Sequence, residues 1–231
     1  MLRLANCWQQ ALDNFARLNF KTMTLDNLND WLNDLRYLIT DIKVCVRNGL
    51  RIPNNVYENE EKLKQMNFFS DYQFQLAFIC GIQLSKMLSD SDSHRRNFHK
   101  LFTQLESESY DNHLKQKLKL SCDKEVTREE LLNEIKRFKK ILQNKKELID
   151  LVIHVRDKAY AHHDPKRKEF GPSFAEYEEL VEMCCLIWNG LNQKITGQTT
   201  IFDVSNFDID PIIRHAAKSY TSMIDQRNKK V

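Results

Sequence analysis

Residues 173–197 read SFAEYEELVEMCCLIWNGLNQKITG. Ser173 and Glu176 stand three apart, the capping-box pattern in which each side chain satisfies the other's backbone N–H. Tyr177, Leu180, Val181, Cys184, Trp188, Leu191 and Ile195 follow at intervals of three and four, which places them on one face of an α-helix. Gly197 closes the segment, as glycine commonly does because it tolerates positive φ. A start, an apolar stripe and a stop together specify one long helix with a buried side.

The same pattern extends in both directions from this segment. Upstream, Thr127 and Glu130 form a second capping box. Leu131, Leu132, Ile135, Phe138, Ile141 and Leu142 continue it to Asn144. A further helix is expected from Lys146 to about His162. The stretch 70–88 is the most apolar of the chain, so it is placed at the centre of the bundle. The SDSDS tract at 89–93 should break it and cap a helix over 94–106. Residues 108–122 suggest a short basic helix. Thr24 is the expected cap of a helix whose stripe is Leu28, Trp31, Leu32, Leu35, Leu38, Ile39, Ile42 and Val46, stopping at Gly49. An earlier helix is expected over 4–20, and residues 51–67 are read as a loop with about one helical turn. After Gly197, residues 199–207 read as irregular and 211–227 as a helix with a weaker stripe.

Composition supports this reading. The 231 residues include only 5 Gly and 4 Pro, too few for the turns a sandwich or barrel requires. With 42% hydrophobic and 29% charged residues, the expected fold is an all-α bundle of six to eight helices. The expected domain is a single one over residues 1–197, with its core at about 70–197 and a helical extension over 1–66. Residues 198–231 form a C-terminal appendage with one helix. No apolar run reaches the ~20 residues of a membrane span, and the N-terminus lacks a signal peptide's apolar stretch. The expected location is cytoplasmic. The six cysteines form no CxxC pair, so neither a disulfide framework nor a metal site is expected, and no cofactor is implied.

Net charge is only +3, but residues 112–170 hold 16 Lys and Arg against 10 Asp and Glu. A local excess of this kind suits a solvated helix face or an acidic partner such as nucleic acid. Within it lies HVRDKAYAHHDP, residues 154–165. Pro165 disfavours helical geometry at Asp164, so a helix must end here. Cations at a helix end offset the macrodipole by roughly 0.3–1 kcal/mol each, which is one account of the cluster. The other is chemical. A histidine titrates near neutral pH and can move a proton. A guanidinium stays charged and can hold phosphate oxygens by parallel hydrogen bonds.

Arg156, Asp157, Lys158, Ala161, His162 and Asp164 resemble the RxKxxAHxD form of the R-x(4–6)-H motif of HEPN domains, and more narrowly the abortive-infection AbiU-type branch. The resemblance covers about residues 70–197. It implies metal-independent RNA cleavage in which the substrate's 2′-hydroxyl attacks the phosphate, in a toxin or phage-defence setting. The alternative it carries is a non-catalytic HEPN module that binds RNA or a protein partner. It further implies a homodimer whose two Arg–His sets face one cleft, with an antitoxin or regulator as a further partner. By the same resemblance His162 is the acid or base, Arg156 holds the phosphate and Asp157 orients the Arg or the His. Lys158, His163 and Asp164 are supporting or alternative residues. At ~100° per residue a continuous helix would set His163 about 20° from Arg156 and His162 about 120° away. The motif alignment favours His162.

Overall fold

The computed structural model describes residues 25–90, 96–107, 127–157 and 171–228. Among them there are eight α-helices: α1 (Leu25–Arg51), α2 (Glu60–Lys64), α3 (Asn67–Leu88), α4 (Phe98–Glu106), α5 (Arg128–Asn144), α6 (Lys146–Val155), α7 (Phe174–Thr196) and α8 (Asp210–Asn228). A 3₁₀ turn at Ser205–Phe207 precedes α8. No strand occurs among the described residues. The fold is all-α, as the periodicity and glycine scarcity indicate. The segments expected at 4–20 and 108–122 lie outside the described residues.

The long apolar helix α3 takes the centre: it packs against α1, α2, α4, α6 and α7. α7 lies against α1, α3 and α5, and every member of its stripe is buried. On α1, Leu28, Leu35, Ile39 and Ile42 are completely buried, and Trp31 and Leu38 are half-buried. Phe98, Phe102 and Phe138 stack in a row, with centroids 6.2 and 6.3 Å apart, and tie α4 to α5. The Trp188 Nε1–H donates to the Leu32 carbonyl at 2.7 Å, joining α7 to α1 inside the core.

Both capping boxes form. Thr127 accepts from the Glu130 N–H at 3.2 Å while its own N–H donates to Glu130 Oε2 at 3.0 Å. The Ser173–Glu176 pair does the same at 3.3 and 2.7 Å. Gly197 closes α7 with φ 74°. Two expected boundaries are corrected. α1 does not stop at Gly49 but runs through it to Arg51. The glycine serves packing there: a Cβ would lie 2.1 Å from the Phe174 ring at the start of α7. Gly190 does likewise, where a Cβ would meet Phe138 at 2.4 Å. The SDSDS tract does not cap the next helix. α4 begins at Phe98, and Asn97 is its cap, accepting from the Lys100 N–H at 2.8 Å. Asn97 is itself fully buried, so the cap is built into the core.

The end of α1 carries a charged junction. Glu60 is completely buried and accepts from Arg51 Nη1 at 2.6 Å, from the Val56 and Tyr57 N–H groups at 2.8 and 2.9 Å, and from Lys64. Arg51 Nε also reaches Asp210 at 2.5 Å, and the Tyr57 hydroxyl donates to the same Asp210. This fastens α1, α2 and α8 together. Burial pushes the Glu60 carboxyl up. The hydrogen bonds from Arg51, Lys64 and the two backbone N–H groups outweigh that and hold it at about 2.

Cys45, Cys80, Cys184 and Cys185 are buried free thiols. Burial pushes Cys184 well above its ordinary range and Cys185 to about 11. Both act as small core hydrophobes rather than nucleophiles.

Candidate functional site

α6 is positioned by Ile149, Val152 and Val155, all buried. With those side chains turned into the core, the next residue, Arg156, comes to the rim of the bundle. The backbone also changes here, leaving α-helical geometry after Val155 for a wider π-type turn at Arg156 and Asp157. Such turns recur at functional positions in helices. Only a straight α-helix from Arg156 onward would set His163 beside the arginine, and the backbone leaves that geometry at Arg156.

The Arg156 guanidinium is held from two sides. Asp157 Oδ1 accepts from Nε at 2.7 Å and lies 2.6 Å from Nη2. On the other side, Nη1 donates to the Ser85 hydroxyl at 3.3 Å. The Arg156 side chain is 21% exposed and that of Asp157 56%. A guanidinium gripped at both ends of its plane loses little rotamer freedom when it meets a further oxygen anion. Asp157 therefore grips the arginine along its Nε edge. Lys158, His162, His163 and Asp164 lie outside the described residues.

Sequence reading did not single out Ser85. It is a completely buried hydroxyl in the apolar central helix α3, whose Oγ–H donates to the Ile82 carbonyl at 2.8 Å. That bond leaves the oxygen lone pairs to accept from Arg156. A serine inside an otherwise apolar helical run is the signal that could have found it, since a buried hydroxyl needs a partner.

Two of the cavities among the described residues bear on the site. The larger, of about 460 Å³, is lined by Lys43, Arg47 and Arg51 among others. Each of these cations meets a carboxylate: Lys43 with Glu182, Arg47 with Asp208, and Arg51 with Glu60 and Asp210. The charges there are spent on the fold. The other, of about 320 Å³, lies where α3, α4, α5 and α6 meet, and Leu88 and Ile153 are in its wall. Among the described residues, no three His, Cys, Asp or Glu side chains group to hold a metal ion. No described helix is long and apolar enough to cross a membrane.

An all-α bundle with an Arg–Asp pair at a helix end, leading into a histidine-bearing segment, defines a class of domain. The family model described as AbiU2, of the HEPN type, matches residues 25–216, and the chain belongs to that family. The match takes in α1, read from sequence as an extension ahead of the core, and the opening of α8. No curated protein and no solved structure matches the chain.

Proposed function

We propose that this chain is an endoribonuclease that cuts RNA without a metal ion, in a toxin or phage-defence role. The observation that supports the reading is the placement of the motif arginine. Arg156 stands at the rim, gripped by Asp157 and Ser85, in a chain that belongs to a HEPN family. The chemistry is self-contained. A histidine, His162 by the family's motif, takes the proton of the substrate's 2′-hydroxyl. The 2′-oxygen attacks the adjacent phosphorus, the P–O5′ bond breaks as a protonated imidazole gives its proton to the leaving 5′-oxygen, and a 2′,3′-cyclic phosphate remains. Negative charge grows on the phosphate oxygens as this happens, and Arg156 is the group placed to stabilise it. Lys158, His163 and Asp164 share the segment and are supporting residues.

The working form is a homodimer. One helix end offers a single wall to the substrate, and a two-fold partner supplies the second. RNA is the substrate, and an antitoxin or regulator is a further partner. The test is incubation of the purified protein with unpaired RNA in the presence of EDTA. Cleavage that stops on His162→Ala supports the enzyme. RNA binding without cleavage would instead identify a non-catalytic binding module. Arrest of growth on expression of the wild type, relieved by the same substitution, tests the cellular role.

A further inference from the structure

The seam between α3 and α6 joins the candidate site to the smaller cavity. At one point of it stand Ser85 and Arg156, 3.3 Å apart. One turn further along each helix stand Leu88 and Ile153, and both line the 320 Å³ cleft. A helical turn is about 5.4 Å, so the cleft opens one turn from the guanidinium. α6 contributes Lys146, Asp150 and Ile153 to it, a row at three- and four-residue spacing that Asp157 continues.

The cleft is built in two layers. Leu88, Leu142 and Ile149 are buried and Ile153 is half-buried, which gives an apolar floor. Above it stand His99, Lys139, Gln143 and Lys146. The His99 Nε2 lies 3.1 Å from the Leu88 carbonyl. A carbonyl only accepts, so Nε2 donates, while Nδ1 lies 4.0 Å from the exposed Asp90 carboxylate at the cleft's edge. Gln143 is exposed and carries both donor and acceptor. Lys139 and Lys146 are each matched by a carboxylate, Glu106 at 2.7 Å and Asp150 at 2.6 Å. With the Asp90 carboxylate also in the wall, the site holds no excess of positive charge and does not suit a bare phosphate. A flat, uncharged group with an apolar face and hydrogen-bonding edges matches it, and its volume is at the small end of the ~300–1,000 Å³ range of ligand pockets.

The geometry points to a nucleobase subsite: the cleft takes an unpaired base of the RNA beside the phosphate held by Arg156. This rests on the ribonuclease reading for the phosphate, and it predicts a preference for single-stranded substrate. Gln143 and His99 meet the edge of the base, and Ile153 and Leu142 support its face.

The probe is a short, unpaired, fluorescein-labelled oligoribonucleotide with 2′-O-methyl riboses, which binds but cannot be cut. Ile153→Phe fills the cleft and Gln143→Glu puts a charge at its rim. Each should weaken binding by roughly tenfold or more, the scale of one lost base contact. Asn144→Glu makes the same charge change at an exposed neighbour outside the cleft and should bind like wild type. An abasic version of the probe should bind wild type and Ile153→Phe alike, both weakly. Gln143→Glu tests the cleft even if Ile153→Phe lowers the melting temperature, since its site is exposed. Equal binding of intact and abasic probes by wild type overturns the subsite. So does equal loss in Gln143→Glu and Asn144→Glu, and so does no binding by wild type. Base-dependent binding without cleavage of natural RNA keeps the subsite and removes the ribonuclease.

Discussion

Arg51 closes α1 and Arg156 follows the end of α6, and both meet acidic side chains, but the two ends are built for different ends. Arg51 is 13% exposed, and its partner Glu60 is completely shielded from water. Glu60 is further locked by Lys64 and two backbone N–H groups. Arg156 is gripped instead by a hydroxyl and by a carboxylate that is 56% exposed. Removing one partner of a buried, hydrogen-bonded pair strands a charge and costs several kcal/mol. A surface pair contributes about 0.2–1 kcal/mol. One arginine is therefore consumed by folding, whereas the other is oriented at the rim of the bundle at little energetic cost.

The sharpest way to break this comparison is to exchange the two losses. Arg156→Ala should lower RNA cleavage by roughly 10²–10³-fold, the scale for removing one transition-state donor. Its unfolding free energy should change by no more than about 1 kcal/mol. Arg51→Ala should do the reverse, costing about 3–5 kcal/mol of stability and changing cleavage only through the fraction folded. Equilibrium unfolding and single-turnover cleavage on the same preparations separate the two. If Arg156→Ala proves the less stable variant, the contrast fails.

Acid provides the next test. The Glu60 carboxyl lies at about 2 against an ordinary 4.5. A depressed carboxyl stabilises the folded state above its unfolded value and loses that contribution as pH falls through the folded one. The shift corresponds to about 3 kcal/mol. Wild type should exceed Glu60→Gln in stability at neutral pH, and the gap should close between pH ~4.5 and ~2. A gap that is constant with pH would show that the junction does not depend on the charge of Glu60.

Smaller effects refine the picture. Gly49→Ala places a methyl 2.1 Å from the Phe174 ring and should cost about 1–3 kcal/mol of overpacking, read as a lower melting temperature. Ser85→Ala removes one grip on Arg156. It should cost about 1 kcal/mol of stability and lower cleavage several-fold, with Ser85→Thr restoring part of the rate. A rate unchanged in Ser85→Ala would leave Asp157 as the orienting partner.

Much of the fold could be read from the sequence because each helix announced itself locally. The Thr127 and Ser173 caps, the α7 stripe and the Gly197 stop depend on residues within a few positions of one another. The misread boundaries depended on distant partners. Gly49 looks like a stop until Phe174, 125 positions away in sequence, is seen against it. Nothing local in the sequence marks Asn97, rather than the SDSDS tract, as the buried cap. The site divides in the same way. Arg156 and Asp157 are neighbours in the chain, and their pairing could be expected. Ser85 reaches Arg156 across 71 positions, and the base-sized cleft is assembled from four helices. Neither leaves a short motif.

As proposed, this HEPN chain cuts RNA by attack of the substrate's own 2′-hydroxyl, with Arg156 bearing the phosphate charge. The direct measurement is mass analysis of the products formed from an unpaired oligoribonucleotide by the full chain in EDTA, beside Arg156→Ala and His162→Ala. Fragments ending in a 2′,3′-cyclic phosphate, formed by wild type and nearly lost in both variants, are the predicted result. Fragments with a 3′-hydroxyl, cleavage abolished by EDTA, or undiminished cutting by His162→Ala would contradict it.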